Sequence, residues 1–83
     1  MTALKFEGKF KVGDRIRAFD FRSSEEHYIE GVIKETGWVR EGSFKAFTID
    51  IDKDPHGGRV GQVGLVPMGM SIFEYDNRIV KRS

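Results

Sequence analysis

No cysteine occurs in the 83 residues. That absence removes disulfide stapling, zinc ribbons, iron–sulfur clusters and thiolate nucleophiles together. Long apolar runs are missing too: nothing approaches the roughly 20 residues needed to span a bilayer. The opening Met1-Thr-Ala-Leu-Lys-Phe-Glu-Gly-Lys9 lacks the apolar region and cleavage site of a secretory signal. A cytoplasmic chain without membrane contact is therefore expected. Histidine appears only at His27 and His56. Gly57, Gly58, Gly61 and Gly64 match neither phosphate-loop nor dinucleotide spacing, and there is no βαβ unit to carry such a loop. No repeat or low-complexity segment is present. Nothing in the sequence calls for a cofactor.

What remains is ordinary for a folded domain: 39% hydrophobic and 33% charged residues. The length allows one core and one domain over 1–83, with 1–9 as a loose N-terminal arm. A domain of this size without staples relies on tight packing or on self-association. The net charge of +1 conceals an uneven distribution: residues 1–22 and 59–83 are basic, and 23–58 are acidic.

The dominant hydrophobic period is two, the period of strands. From Phe10 to Arg22, Val12, Ile16 and Ala18 alternate against Arg15, Arg17, Phe19 and Phe21. After a polar loop at 23–26, His27 to Glu35 is rich enough in β-branched residues for a second strand. Residues 36–43, with two glycines and Trp38, form the expected connection to a third strand at Phe44 to Lys53. There Phe47, Ile49 and Ile51 share one face, and Thr48, Asp50 and Asp52 the other. Asp54-Pro-His-Gly-Gly58 is a turn. Val60 to Pro67 gives a fourth strand ended by proline, and Arg78 to Arg82 a fifth. Between them, Ser71-Ile-Phe-Glu74 has the spacing of a capping box, which predicts one helical turn.

The resulting expectation is an all-β, five-stranded, partly open small barrel with one short helical turn before the last strand. Val12-Gly-Asp-Arg-Ile-Arg-Ala18, followed by Tyr28-Ile-Glu-Gly-Val-Ile33 and Phe47-Thr-Ile-Asp-Ile51, resembles the Tudor and Src-homology-3-like barrel pattern. The resemblance covers about residues 10–82. It implies a noncatalytic binding module with its first and last strands side by side. The closing Val66-Pro-Met-Gly-Met-Ser-Ile-Phe-Glu-Tyr-Asp-Asn-Arg-Ile79 is also similar to uncharacterised small proteins of tailed cyanobacterial phages. That resemblance implies a phage protein in the host cytoplasm but no activity.

Catalysis finds little support. Ser23, Ser24, Glu25, Glu26 and His27 supply the residue types of a triad, but neighbours in one loop do not give an oriented base beside oxyanion donors. Asp50, Asp52 and Asp54 alternate like the first half of a calcium loop. The glycine and closing glutamate such a loop requires are replaced by Pro55 and Gly61. The plainer reading of the three acids is a solvated strand face whose charge guards an edge.

Three binding readings follow. A protein partner would be gripped by an aromatic cluster of Phe19, Phe21, Tyr28, Trp38 and Tyr75. Trp38, flanked by glycines, is either a lid over the core or a contact residue. Single-stranded nucleic acid would be held by a basic stripe of Lys11, Arg15, Arg17, Arg78, Lys81 and Arg82, provided Asp14 and Asp20 do not interrupt it. A homo-oligomer would form through the nearly uncharged 60–66 edge or the apolar Met68-Gly-Met70. The protein-interaction reading comes first.

Overall fold

A computed structural model describes residues 6–21, 24–39, 41–42, 44–55, 57–69 and 78–82. The period-two segments pair into one antiparallel sheet: β1 (Arg15–Phe21), β2 (Ser24–Val39), β3 (Phe44–Lys53), β4 (Val63–Pro67) and β5 (Ile79–Arg82). The strand order is β4-β3-β2-β1-β5. The described residues are thus all-β, and the sheet is open, with β4 and β5 at its two edges. The helical turn expected at Ser71 to Tyr75 lies outside the described residues. Among the described residues no helix is long and apolar enough to cross a membrane.

Alternation puts Ile16 and Ala18 of β1, Ile29 and Ile33 of β2, and Phe47, Ile49 and Ile51 of β3 on one face, and all are buried. Val66, Met68 and Ile79 complete this core from the sheet edges. Fully burying a side chain the size of Phe47 or Ile49 contributes about 1.5–3 kcal/mol. Phe6 also enters the core, its N–H donating to the Met68 carbonyl at 2.9 Å, so residues 6–9 fold back onto the sheet rather than trailing as an arm. Phe10 stacks on Phe6 and meets the edge of Phe47 at a centroid distance of 5.6 Å. It joins an aromatic plug, not the first strand.

Four further expectations are corrected by the pairing. The first strand begins at Arg15, and Val12, grouped by alternation with Ile16 and Ala18, is 58% exposed in the turn ahead of it. That turn needs Gly13 at a φ of 96°, which breaks the alternation before the strand starts. The second strand extends to Val39 because residues 35–39 stay paired with β3, so the connection is only 40–43. The polar 24–26 segment is strand, since Ser24 pairs with Phe21. The fourth strand starts at Val63, and Val60 is exposed ahead of it.

Candidate functional site

Of the aromatic residues expected to converge, the three whose side chains are described, Phe19, Tyr28 and Trp38, do not form one cluster. Phe19 and Tyr28 are cross-strand partners on the outer face of β1 and β2, with ring centroids 5.8 Å apart at 65°. Arg17 lies over the Tyr28 ring, its guanidinium carbon 4.0 Å from the centroid. The protein's own cation thus occupies the ring face that a methylated-cation cage would offer. Trp38 lies ten residues further along β2, a separation of roughly 30 Å in extended chain. Phe21 closes β1, but its side chain, like Tyr75, falls outside the described residues.

The basic stripe is likewise divided. The first and last strands do pair, with Arg15 opposite Arg82 and Arg17 opposite Val80. The Arg15 guanidinium, however, donates to both oxygens of Asp52 at 2.6 Å each and, through Nε, to Glu30 at 2.9 Å. The Arg17 Nε donates to the other Glu30 oxygen at 2.8 Å. Lys81 faces the opposite side, across from Ile16, with its amine 3.7 Å from Asp14. Arg78 is buried, its Nη2 donating to the Pro67 carbonyl at 2.5 Å and its guanidinium 5.0 Å from the Phe6 ring. It joins the start of β5 to the end of β4. Lys11 and Arg82 are exposed, Arg82 as the cross-strand neighbour of Arg15.

The acids of β3 are the counterpart of this arrangement. Asp50 faces Lys34 at 3.6 Å, Asp52 takes Arg15, and Asp54 accepts from the Gly57 and Arg59 amides and from Arg59 Nε. Arg59 also reaches Asp20 of β1, at 2.8 Å. β3 lies inside the sheet, between β2 and β4, so Asp50 and Asp52 do not guard an edge. Among the described residues no three His, Cys, Asp or Glu side chains are grouped to hold a metal ion. Outward positions on neighbouring strands, basic on β1 and acidic on β2 and β3, were the one sequence signal for this network. The pairing of Arg15 with Asp52, 37 positions away, required the register.

Glu30 is buried, which favours its neutral form, but hydrogen bonds from Arg17 and Arg15 outweigh that and hold its carboxyl below the ordinary value. The bond from Arg15 lowers Asp52, and that from Arg59 holds Asp54 well below the usual carboxylate range. Stability from such groups is complete above their unfolded values near pH 4 and is lost as pH falls through the lower folded ones. The melting temperature should be level from pH 7 to about pH 5 and fall below about pH 4. Asp52→Asn should make the acid limb shallower in a pH series of thermal melts. A melting temperature that drops between pH 5 and 7 would contradict this assignment.

Two clefts remain. One, about 240 Å³, opens where β1 approaches β4 and is lined by Ala18, Phe19, Ile29, Leu65, Val66 and the two arginines Arg59 and Arg78. Both arginines are engaged by protein oxygens. The other, about 390 Å³, runs along the far half of β2 from Lys34 to Val39, with Val12 as its wall. Trp38 projects here 65% exposed, with the Lys45 amine 5.4 Å from its ring centroid and Glu7 paired to that amine. At that exposure it does not form a lid over the core. Position 38 drew attention in the sequence through its glycine neighbour, while Val12 was assigned to the wrong side. The homo-oligomer reading keeps its β4 edge, where Val63 and Leu65 are exposed, but Met68 is core and Met70 lies outside the described residues. Comparison with known proteins gives no match to any family model, any curated protein or any solved structure.

Proposed function

We propose that this chain is a small noncatalytic, cytoplasmic binding module of the Src-homology-3-like or Tudor-like barrel type that mediates protein–protein interaction through the surface around Trp38. The observation that carries the reading is a large indole, 65% exposed, standing beside a 390 Å³ cleft. Tryptophan is among the residues that dominate interface energetics, and a cleft of this size falls within the range of ligand sites. The nucleic-acid reading loses ground because Glu30 and Asp52 already neutralise Arg15 and Arg17, and affinity of that kind depends on cations released to phosphates.

The test is a selection of linear peptides from a random display library on the immobilised full chain, with Trp38→Ala as counter-selection. Because Trp38 is largely exposed, the variant should keep the parent circular dichroism and melting temperature. Enriched peptides should bind with micromolar affinity and weaken at least tenfold, about 1.4 kcal/mol, on Trp38→Ala. Peptides indifferent to that change, or salt-sensitive binding of single-stranded DNA tighter than any peptide, would sink the proposal.

A further inference from the structure

The rims of the 390 Å³ cleft are not side chains alone. In an antiparallel ladder, the N–H and C=O of successive residues point alternately to the two neighbouring strands. The Lys45 carbonyl accepts from the Met68 N–H at 3.0 Å, so the Lys45 main chain faces the β4 side. Its cross-strand partner, Trp38, therefore directs its own N–H and C=O away from β3. Thr36, two residues earlier and opposite Phe47, does the same. Further back along β2, Ile33 shows what normally covers that side. Its N–H donates to the Asp14 carbonyl and its carbonyl accepts from the Gly13 N–H, both at 2.9 Å. Beyond Ile33 the β1 side ends, and among the described residues no main-chain group takes the N–H or C=O of Thr36 or Trp38.

Four hydrogen-bonding groups thus line one side of a cleft at the two-residue repeat of an extended strand, roughly 7 Å apart. We infer that the edge of β2 from Lys34 to Val39 receives an extended segment of a partner protein by strand addition, with Thr36 and Trp38 supplying the main-chain bonds. This rests on the protein-interaction reading and adds the binding mode and the class of partner. Such edges take added strands, main-chain bonds providing affinity and alternate side chains specificity.

Charge selects the occupant. Lys34 and Glu35 put opposite charges at one end of the cleft, the end next to Val12, and Trp38 and Val39 make the other end apolar. The exposed, 3.6 Å pair between Lys34 and Asp50 holds Lys34 only weakly. The complementary segment carries an acid and a base at one end and apolar residues at the other. A second copy of this edge fits poorly, because two-fold antiparallel pairing sets the charged end of one copy against the apolar end of its mate.

The experiment uses a synthetic ten-residue peptide from the display selection and the full chain labelled with ¹⁵N. Peptide at saturation should slow amide exchange at Thr36 and Trp38 at least tenfold, leaving Glu35 and Gly37, which face β3, unchanged. N-methylation at alternate peptide residues should weaken binding at least tenfold, and at the intervening residues should change it less than threefold. The double charge reversal Lys34→Glu with Glu35→Lys should weaken the peptide, and reversal of the peptide's own acid and base should restore it. Binding that depends on Trp38 but shows neither the exchange pattern nor the alternation would overturn strand addition and leave the protein-interaction reading standing. A library yielding no Trp38-dependent peptide would overturn both. Slowed exchange at Thr36 and Trp38 that rises with protein concentration without peptide, alongside a dimeric mass, would make the occupant a second copy and overturn the partner segment.

Discussion

Gly31→Ala is expected to destabilise the domain by about 3 kcal/mol, enough to lower the melting temperature of a chain this size by roughly 12–24 °C. Gly31 lies on the core face of β2, between Ile16 of β1 and Ile51 of β3, where the β2–β3 register shifts at a bulge. A Cβ built there falls 2.0 Å from the Asp50 carbonyl oxygen and 2.8 Å from its carbon. Both are backbone atoms in the interior strand of the sheet, so relief requires moving β3 away from β2, not rotating a side chain. Gly64→Ala is the control. Its added Cβ meets the terminal methyls of Ile51 and Ile29 at 2.9 and 3.0 Å, which rotate aside more readily. It should cost less than about 1.5 kcal/mol. Urea denaturation followed by far-ultraviolet circular dichroism separates the two, and a Gly31→Ala loss no larger than that of Gly64→Ala would mean that the strands can part at the bulge.

Ile49→Asp should abolish the fold. Ile49 has no exposed surface, sits at the centre of β3, and faces Ile33 on one side and Gly64 on the other. The described residues clustered with it are apolar, and the buried base Arg78 already donates to the Pro67 carbonyl, so a carboxylate at position 49 is either buried charged without a partner or forced neutral, at a cost comparable to the whole stability of a domain this small, on the order of 5–10 kcal/mol. The expected spectrum at 25 °C is that of an unfolded chain with no cooperative melt. Ile49→Val, which removes one methylene, should remain folded and lose about 1 kcal/mol. A cooperative melt of Ile49→Asp at the parent temperature would place residue 49 on the outer face and reverse the sidedness of β3.

The two substitutions differ in what made them foreseeable. Ile49 was legible because Phe47-Thr-Ile-Asp-Ile51 alternates without interruption, and alternation is a local property that survives in any register. Gly31 was visible only as a glycine inside a strand. The carbonyl it must clear belongs to Asp50, which the β2–β3 register brings there.

The candidate site divides along the same line. Arg15, Arg17 and Phe19 were correctly placed on one face, because period two fixes sidedness. Their availability was not legible, since Glu30 and Asp52 come from other strands and convert a basic stripe into a set of closed ion pairs. Trp38 was singled out by its composition and surroundings, yet the extension of β2 that exposes it depends on residues 35–39 staying paired with β3 beyond the reach of β1.

By itself, then, the sequence determined the all-β class, the five strand segments, the core face of β3 and the absence of thiol chemistry. Each depends on residue identity or on a repeat spanning a few positions. Tertiary structure alone decided strand lengths, the pairing of acids with bases, the turn that exposes Val12, and the edge at Thr36 and Trp38 that no described main-chain group covers. Those depend on which strand ends first beside which neighbour, and that is set by register and bulges between segments far apart in the chain.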